Sequence, residues 1–175
     1  LTLCSGYSAF LLFEHNLFAA AGLGAIAVAA FVGTLRFGVL PALYPIHNLL
    51  TKLSKRSFIP LLPLAFYKAD IPSQWVGLIF LAAVLLYLVP TLSFGKLSSS
   101  LVETVHLAIG FGGTVMLSLL RTPILHNAII GALVIIVAGL ALQDRPSYRR
   151  MKSVDISHYS LSVGCVLMAV DFMQL

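Results

Sequence analysis

Glu103 and His106 are the pair of side chains whose types and spacing most directly suggest chemistry. Three residues apart on a helix, they share one face, and Glu-x-x-His is the spacing that di-iron carboxylate proteins use. Such a centre needs a second Glu-x-x-His and further carboxylates, whereas the whole chain contains six Asp and Glu residues. We therefore predict no metal site and no cofactor. Ser100 and Glu103 also match a capping box, which would give Glu103 a structural role instead.

Asp171 is a third ionisable residue within an apolar run. A carboxylate at that depth is costly unless it is neutralised, paired or near water, and such residues often mark transport pathways. If Glu103, His106 and Asp171 converge in one polar cavity, the chain could be a small proton-coupled transporter. That function is our main alternative, and a lipid-modifying membrane enzyme is the third.

No catalytic motif accompanies these residues. The sequence contains no P-loop, no Gly-rich dinucleotide turn, no Gly-x-Ser-x-Gly elbow and no His-Glu-x-x-His site. Its five histidines are too few and too scattered for a histidine-rich membrane di-iron oxidase. We predict that the chain is not an enzyme.

The composition indicates that a membrane is the main solvent. Of 175 residues, 59% are hydrophobic and 10% are charged, and the mean hydropathy is +1.00, whereas soluble domains carry about 25% charged residues. The net charge of +5 comes from cations that fall between apolar runs, which argues against nucleic acid as a partner. We predict an all-α fold: a polytopic transmembrane helical bundle that forms a single domain over residues 1–175.

About six apolar runs approach the length that a helix needs to cross the roughly 30 Å hydrocarbon slab. They cover residues 1–13, 17–35, 75–92, 101–120, 122–142 and 157–175. The second run has a small residue at every fourth position, which lets another helix approach its backbone closely. We predict that this stripe packs against protein and not lipid; it consists of Ala21, Ala25, Ala29 and Gly33.

Residues 36–72 break this pattern. Five prolines forbid one long helix and four cations resist insertion; they are Pro41, Pro45, Pro60, Pro63 and Pro72, with Lys52, Lys55, Arg56 and Lys68. We predict an interfacial segment of short helices, with a re-entrant half-helix over residues 58–67 as the open alternative. Lys52, Lys55 and Arg56 are candidates to bind anionic lipid headgroups, against the simpler alternative of unselective anchoring.

The loops do not decide which side of the membrane each end faces. Three spans separate the basic cluster at residues 52–68 from the one at residues 145–152, so we expect the two clusters on opposite sides. Counted by side, six cations oppose five, and the positive-inside rule gives no orientation. Two inverted three-helix halves would explain this balance, because His15-Asn16 precedes a span as His126-Asn127 does. Whether the two halves form an inverted repeat is left open by the sequence.

Two stretches carry a resemblance to a known family. The second span ends in Gly33-Thr34-Leu35-Arg36-Phe37-Gly38, and the fourth contains Glu103-Thr104-Val105-His106-Leu107-Ala108-Ile109-Gly110. In these two stretches, and in its size, hydropathy and small-residue spans, the chain resembles the transmembrane protein 276 family of small multispan membrane proteins. The resemblance implies an accessory subunit of a bridge-like lipid-transfer protein complex, and it carries over no catalytic residues.

Our leading prediction is a non-enzymatic integral membrane subunit that docks a larger partner and supports lipid transfer or lipid entry at a membrane. Small-residue helix faces suit packing against that partner, and the basic, proline-broken segment can meet lipid headgroups. The expected partners are membrane lipids, anionic ones in particular, and a larger membrane or lipid-transfer protein. The expected location is the endoplasmic reticulum membrane.

Overall fold

The computed structural model describes residues 1–93, 99–121, 123–142, 147–148 and 151–175. The α-helices are α1 (Thr2–Leu12), α2 (Leu17–Gly38), α3 (Tyr44–Leu53), α4 (Ser73–Ser93), α5 (Ser99–Leu107), α6 (Gly113–Leu120), α7 (His126–Leu142) and α8 (Ser153–Phe172). Ser54–Phe58 and Ala108–Gly112 form π-helical turns, while Pro41–Leu43 and Ile59–Tyr67 are 3₁₀ helices. A minimal hairpin pairs β1 (Ser147–Tyr148) antiparallel with β2 (Met151–Lys152). Apart from the turns between these elements, the rest of the described chain is helical, which confirms the predicted all-α class.

Two of the described helices are long and apolar enough to cross a membrane. One is α2, with 22 residues, and the other is the 18-residue stretch Glu103–Leu120, in which α5 continues through a π-helical turn into α6. The apolar parts described for four other helices have 10–17 residues; they are Thr2–Leu12, Ser73–Leu85, His126–Ala138 and His158–Phe172. The count of about six spans therefore stays a prediction.

Asn16 fixes the start of α2. Its buried side chain accepts a hydrogen bond from the backbone amide of Ala19 at 3.3 Å, as an N-cap residue does. The same side chain donates to the carbonyl oxygen of Ala65 at 3.0 Å. One amide group thus ties the turn between α1 and α2 to a segment that lies 49 residues later.

Small residues allow two pairs of helices to pack closely. Between α7 and α8, Gly131 and Gly164 face each other, and a Cβ atom built on either one would lie 2.7 Å from the carbonyl oxygen of the other. Between α1 and α2, a Cβ atom built on Gly24 would lie 3.6 Å from the Cβ of Ala9. Both pairs form antiparallel hairpins whose helices follow each other in the chain.

The predicted stripe on α2 divides between two environments. Ala29 and Gly33 are buried inside the bundle. Ala21 and Ala25 are half-buried and line a groove of about 510 Å³ on the outside of α1, α2 and α3. Only the second half of the stripe is thus enclosed by this chain.

Ser54–Tyr67, here called the proline segment, lies inside the bundle. Four of its apolar side chains are buried: Ile59, Leu61, Leu62 and Ala65. None of residues 36–53 is buried, so these residues and the proline segment lie in different environments, whereas the sequence predicts one interfacial segment over residues 36–72. The reason is that Pro60 and Pro63 disrupt α-helical hydrogen bonding, and the carbonyl groups left over need partners from protein.

The proline segment runs alongside two neighbours over its whole length. Its contacts with the α5–α6 helix follow in chain order: Arg56 with Glu103, Ile59 with Gly110, Pro63 with Gly113, and the carbonyl oxygen of Phe66 with Arg121. Its contacts with α2 follow in reverse order: Leu62 with Gly22, and Ala65 with Asn16. The segment is therefore parallel to α5–α6 and antiparallel to α2.

Asp171 lies at the opposite end of the bundle from Glu103. Its carboxylate accepts hydrogen bonds from the side chain of Asn127 at 2.9 Å and from the backbone amide of Ala128 at 2.8 Å, both in the first turn of α7. The next residue, Phe172, packs edge-to-face on the ring of Phe66 near the end of the proline segment. We call the two ends of the bundle the Glu103 end and the Asp171 end.

Gly131→Ala is expected to destabilise the bundle. The new Cβ would clash with the carbonyl oxygen of Gly164, so α7 and α8 must separate, at a cost of about 1–3 kcal/mol. Gly77→Ala in α4 is the matched control, because no atom lies within 4 Å of a Cβ built there. Unfolding in mixed detergent micelles measures the free energy of unfolding of both variants. Equal stability of the two variants would contradict the close contact between α7 and α8.

Candidate functional site

Glu103 and Arg56 form an ion pair between α5 and the start of the proline segment. Arg56 Nη2 lies 3.1 Å from Glu103 Oε1, and the Arg56 side chain is only 4% exposed. Lys55 Nζ lies 3.6 Å from the second carboxylate oxygen, and its side chain is 41% exposed. One carboxylate thus faces two cations, one buried and one more exposed to solvent. The cluster therefore has a net positive charge.

The ion pair changes two of the sequence predictions. The Glu103 carboxylate turns towards Arg56 and Lys55, and α5 begins at Ser99, so Ser100 is a helical residue and not the N-cap of a capping box. The Ser100 side chain itself lies outside the described residues. Arg56 is buried and paired with Glu103, whereas the sequence predicts it among cations that reach lipid headgroups; a guanidinium is costly to bury unless it is paired.

A cavity of about 840 Å³ lies beside this ion pair. Its polar part is lined by His47, Thr51, Ser54, Lys55, Glu103, Thr104 and His158. Most of its wall is apolar and comes from α2, α5, α7, α8, the proline segment and the π-helical turn after α5; it includes Ile26, Ile59, Leu107, Phe111, Ile135 and Leu161. A largely apolar cavity with a few convergent polar groups is the usual form of a small-molecule site.

His47 enters the polar part of the cavity from α3. Gly33 leaves room for its ring, because a Cβ atom built on Gly33 would lie 2.9 Å from His47 Cε1. Burial, and then the positive charge of Arg36, lower the pKa of His47 below its ordinary value. Its buried Nδ1 atom has no hydrogen-bond partner within the described structure. The lowered pKa favours the neutral imidazole near pH 7, and the unpaired Nδ1 lies near Gly33, 3.3 Å from a Cβ atom built there.

The three intramembrane polar candidates do not converge. Glu103 lines the cavity, whereas Asp171 is bonded to the first turn of α7 at the other end of the bundle. His106 is half-buried in α5 and is not among the described residues that line the cavity. The transporter alternative depended on one shared polar cavity, and neither the cavity beside Glu103 nor the groove outside α1 and α2 joins these three groups.

Sequence reasoning missed His47 and His158 as members of the site. His47 falls in a short helix among prolines and His158 near the start of the last apolar run, and neither stands at a recognisable motif spacing. Only the folded backbone brings both to one cavity. Within the described residues, no group of three His, Cys, Asp or Glu side chains could hold a metal ion.

Comparison with known proteins adds no relative. No protein-family model, curated protein or solved structure matches this chain. The resemblance to the transmembrane protein 276 family stays a prediction, and so does the lipid-transfer partner that it implies.

Glu103→Gln is expected to destabilise the protein strongly. It leaves the buried Arg56 guanidinium without its carboxylate, and breaking a buried ion pair in this way costs about 3 kcal/mol. Glu14→Gln, at an exposed carboxylate in the turn after α1, is the control and should change the free energy of unfolding by less than about 0.5 kcal/mol. Unfolding in mixed detergent micelles is again the measurement.

Combining Glu103→Gln with Arg56→Gln separates the ion pair from the other contacts of these side chains. With both charges removed, no unpaired charge is buried, so the double variant should lose less stability than the two single variants summed. Simple additivity would show that the two side chains are not energetically coupled.

Proposed function

We propose that this chain is a non-enzymatic integral membrane subunit that holds a lipid in the cavity beside Glu103 and docks a larger membrane partner. The observation that carries the proposal is the cavity, with one polar end that is net positive and with long apolar walls. A lipid divides in the same way into a charged headgroup and apolar chains.

The distribution of side chains supports a membrane setting. Large apolar side chains are exposed on many helices, among them Leu3, Phe10, Phe37, Leu81, Met116, Leu120 and Val137. The buried set includes polar and charged side chains, among them Ser5, Asn16, Arg56, Thr114, Ser118 and Asp171. Water would penalise both features, whereas lipid favours an apolar exterior and polar groups that face the inside of the bundle.

We assign about six helical spans to α1, α2, α4, the α5–α6 helix, α7 and α8. Helices α4 and α8 have 21 and 20 residues, which corresponds to about 30 Å at 1.5 Å per residue. Helix α1 packs along α2, and α7 packs along α8, as expected for neighbouring spans that follow each other in the chain. An endoplasmic reticulum location is part of the proposal and rests on the family resemblance alone.

The outer groove supports docking of a partner helix. Ala21, Gly24 and Ala25 form part of its wall and have little or no side chain to keep a neighbour away. A transmembrane helix of the partner could therefore approach the α2 backbone closely, as small-residue faces permit in membranes. Phe10 of α1 and Phe13, directly after α1, line the same groove and would pack against that helix.

A lipid-modifying enzyme is the second candidate function, and one observation favours it. His47 and His158 line the same cavity as Glu103, and imidazole and carboxylate groups are the usual general acids and bases. This candidate would be favoured if the wild type converts a bound lipid and the His47→Gln variant does not. Release of the lipid unchanged favours the subunit that we propose.

Ala29→Leu is expected to remove bound lipid while the partner stays bound. Ala29 is buried and lines the lipid cavity, so a leucine side chain there would occupy space needed by the acyl chains. Ala25→Leu is the matched control one helical turn away: it faces the outer groove and should weaken recovery of the partner but keep the lipid. Mass spectrometry of lipids and proteins that co-purify in mild detergent measures both.

Two results would contradict these assignments separately. Equal lipid in Ala29→Leu and wild-type samples would mean that the cavity is not the lipid site. Equal partner recovery with Ala25→Leu would mean that the partner docks elsewhere.

Lys55→Gln is expected to reduce the recovery of anionic lipid. Lys55 lines the polar part of the cavity, and one cation near a headgroup is worth about 1 kcal/mol, or roughly a five-fold change in affinity. Lys52→Gln is the control, because Lys52 is not among the described residues that line the cavity. If the two variants retain anionic lipid equally, the basic cluster is a plain membrane anchor.

A further inference from the structure

The proline segment adds a crossing to the six helical spans. It begins at the Glu103 end, where Arg56 is paired, and it ends at the Asp171 end, where Asn16 and Arg121 donate hydrogen bonds to its carbonyl oxygens. Its nine 3₁₀ residues alone extend about 18 Å, at roughly 2.0 Å per residue. The residues before and after it therefore lie at opposite ends of the bundle.

This crossing fixes where α4 and α5 meet. Helix α4 starts at the Asp171 end, shortly after Lys68, whose Nζ atom donates a hydrogen bond to the carbonyl oxygen of His15. Helix α5 starts at the Glu103 end, since Glu103 lies in its second turn. Helix α4 runs from the Asp171 end towards the start of the proline segment, so its last turn and the first turn of α5 both lie at the Glu103 end.

The same reasoning applies to α7 and α8. Helix α7 starts beside Asp171, and Ala138 towards its other end lines the cavity together with Glu103. Helix α8 runs from the side of the cavity, where His158 lies, back to Asp171. The end of α7 and the start of α8 therefore also lie at the Glu103 end.

Positive charge consequently gathers at one end. In the described structure the Glu103 end has four cations, namely Arg36, Lys52, Lys55 and Arg56, and the Asp171 end has two, Lys68 and Arg121. Among the described residues, four cations against two favour the Glu103 end as the cytoplasmic end under the positive-inside rule.

We infer that the Glu103 end faces the cytoplasm and that the cavity takes an anionic lipid from the cytoplasmic leaflet, with its headgroup beside Lys55. The anionic phosphatidylserine and phosphatidylinositol lipids are concentrated in that leaflet, which matches the net positive charge of the polar part of the cavity. The choice of leaflet rests on the proposed lipid function, whereas the orientation does not depend on it.

Single-cysteine labelling tests the orientation and the crossing together. In a chain with Cys4→Ser and Cys165→Ala, one thiol is introduced by Ile46→Cys and, in a second variant, by Ala69→Cys. Both positions are exposed, and they lie on either side of the proline segment. A membrane-impermeant maleimide is applied to sealed vesicles of known orientation, and labelling in detergent gives the total.

The expected result is that Ile46→Cys reacts only from the cytoplasmic face and Ala69→Cys only from the opposite face. Labelling from the two reversed faces would overturn the orientation. Labelling of both positions from the same face would overturn the crossing, because the proline segment would then return to the side from which it came.

A third thiol tests the leaflet. Thr51→Cys lies in the polar part of the cavity, and it should react from the cytoplasmic face in phosphatidylcholine vesicles. Most of this labelling should be lost when the cytoplasmic leaflet contains phosphatidylserine, because the headgroup then covers the site. Labelling that is unchanged by phosphatidylserine, with the Ile46 and Ala69 results as expected, would overturn the lipid site and leave the orientation standing.

Discussion

The structure depends on one constraint, which is that the backbone of the proline segment cannot satisfy its own polar groups. Pro60 and Pro63 lack amide protons and interrupt helical hydrogen bonding. In apolar surroundings each unsatisfied backbone group costs several kcal/mol, so irregular backbone is tolerated only where protein encloses it. Asn16 and Arg121 supply two of the donors that its carbonyl groups need. Helix α2 and the α5–α6 helix must therefore hold the segment between them.

Enclosing this segment also creates the candidate site. Glycines at the contact points, Gly22, Gly110 and Gly113, let its backbone approach both neighbours. The same packing buries Arg56 at the start of the segment, which makes the Glu103 carboxylate necessary. Space remains between this ion pair and α2, α7 and α8, and it forms a cavity with one charged end. The charge and the apolar walls of the site are thus two consequences of one buried segment.

The sequence predicts the helices better than it predicts the path between them. Long apolar runs correctly indicated α2 and the α5–α6 helix, because a span leaves its mark on consecutive residues. For the proline segment, the sequence predicts an interfacial path and leaves a re-entrant one open, because prolines and cations are compatible with both. Glycines on distant helices decide the path of this segment. The partner of Glu103 and the approach of His47 to Gly33 depend on the same long-range packing, so neither could be predicted locally.

Burial of the proline segment is most directly tested by disulfide formation between Pro63→Cys and Gly113→Cys in a chain without Cys4 and Cys165. A Cβ atom built on Gly113 lies 3.5 Å from the Cβ of Pro63, a separation at which disulfides form. The pair Ala9→Cys and Gly24→Cys, between α1 and α2 at 3.6 Å, is the positive control. If the segment is buried, both pairs oxidise to a similar extent. Oxidation of the control pair alone would mean that the segment lies outside the bundle.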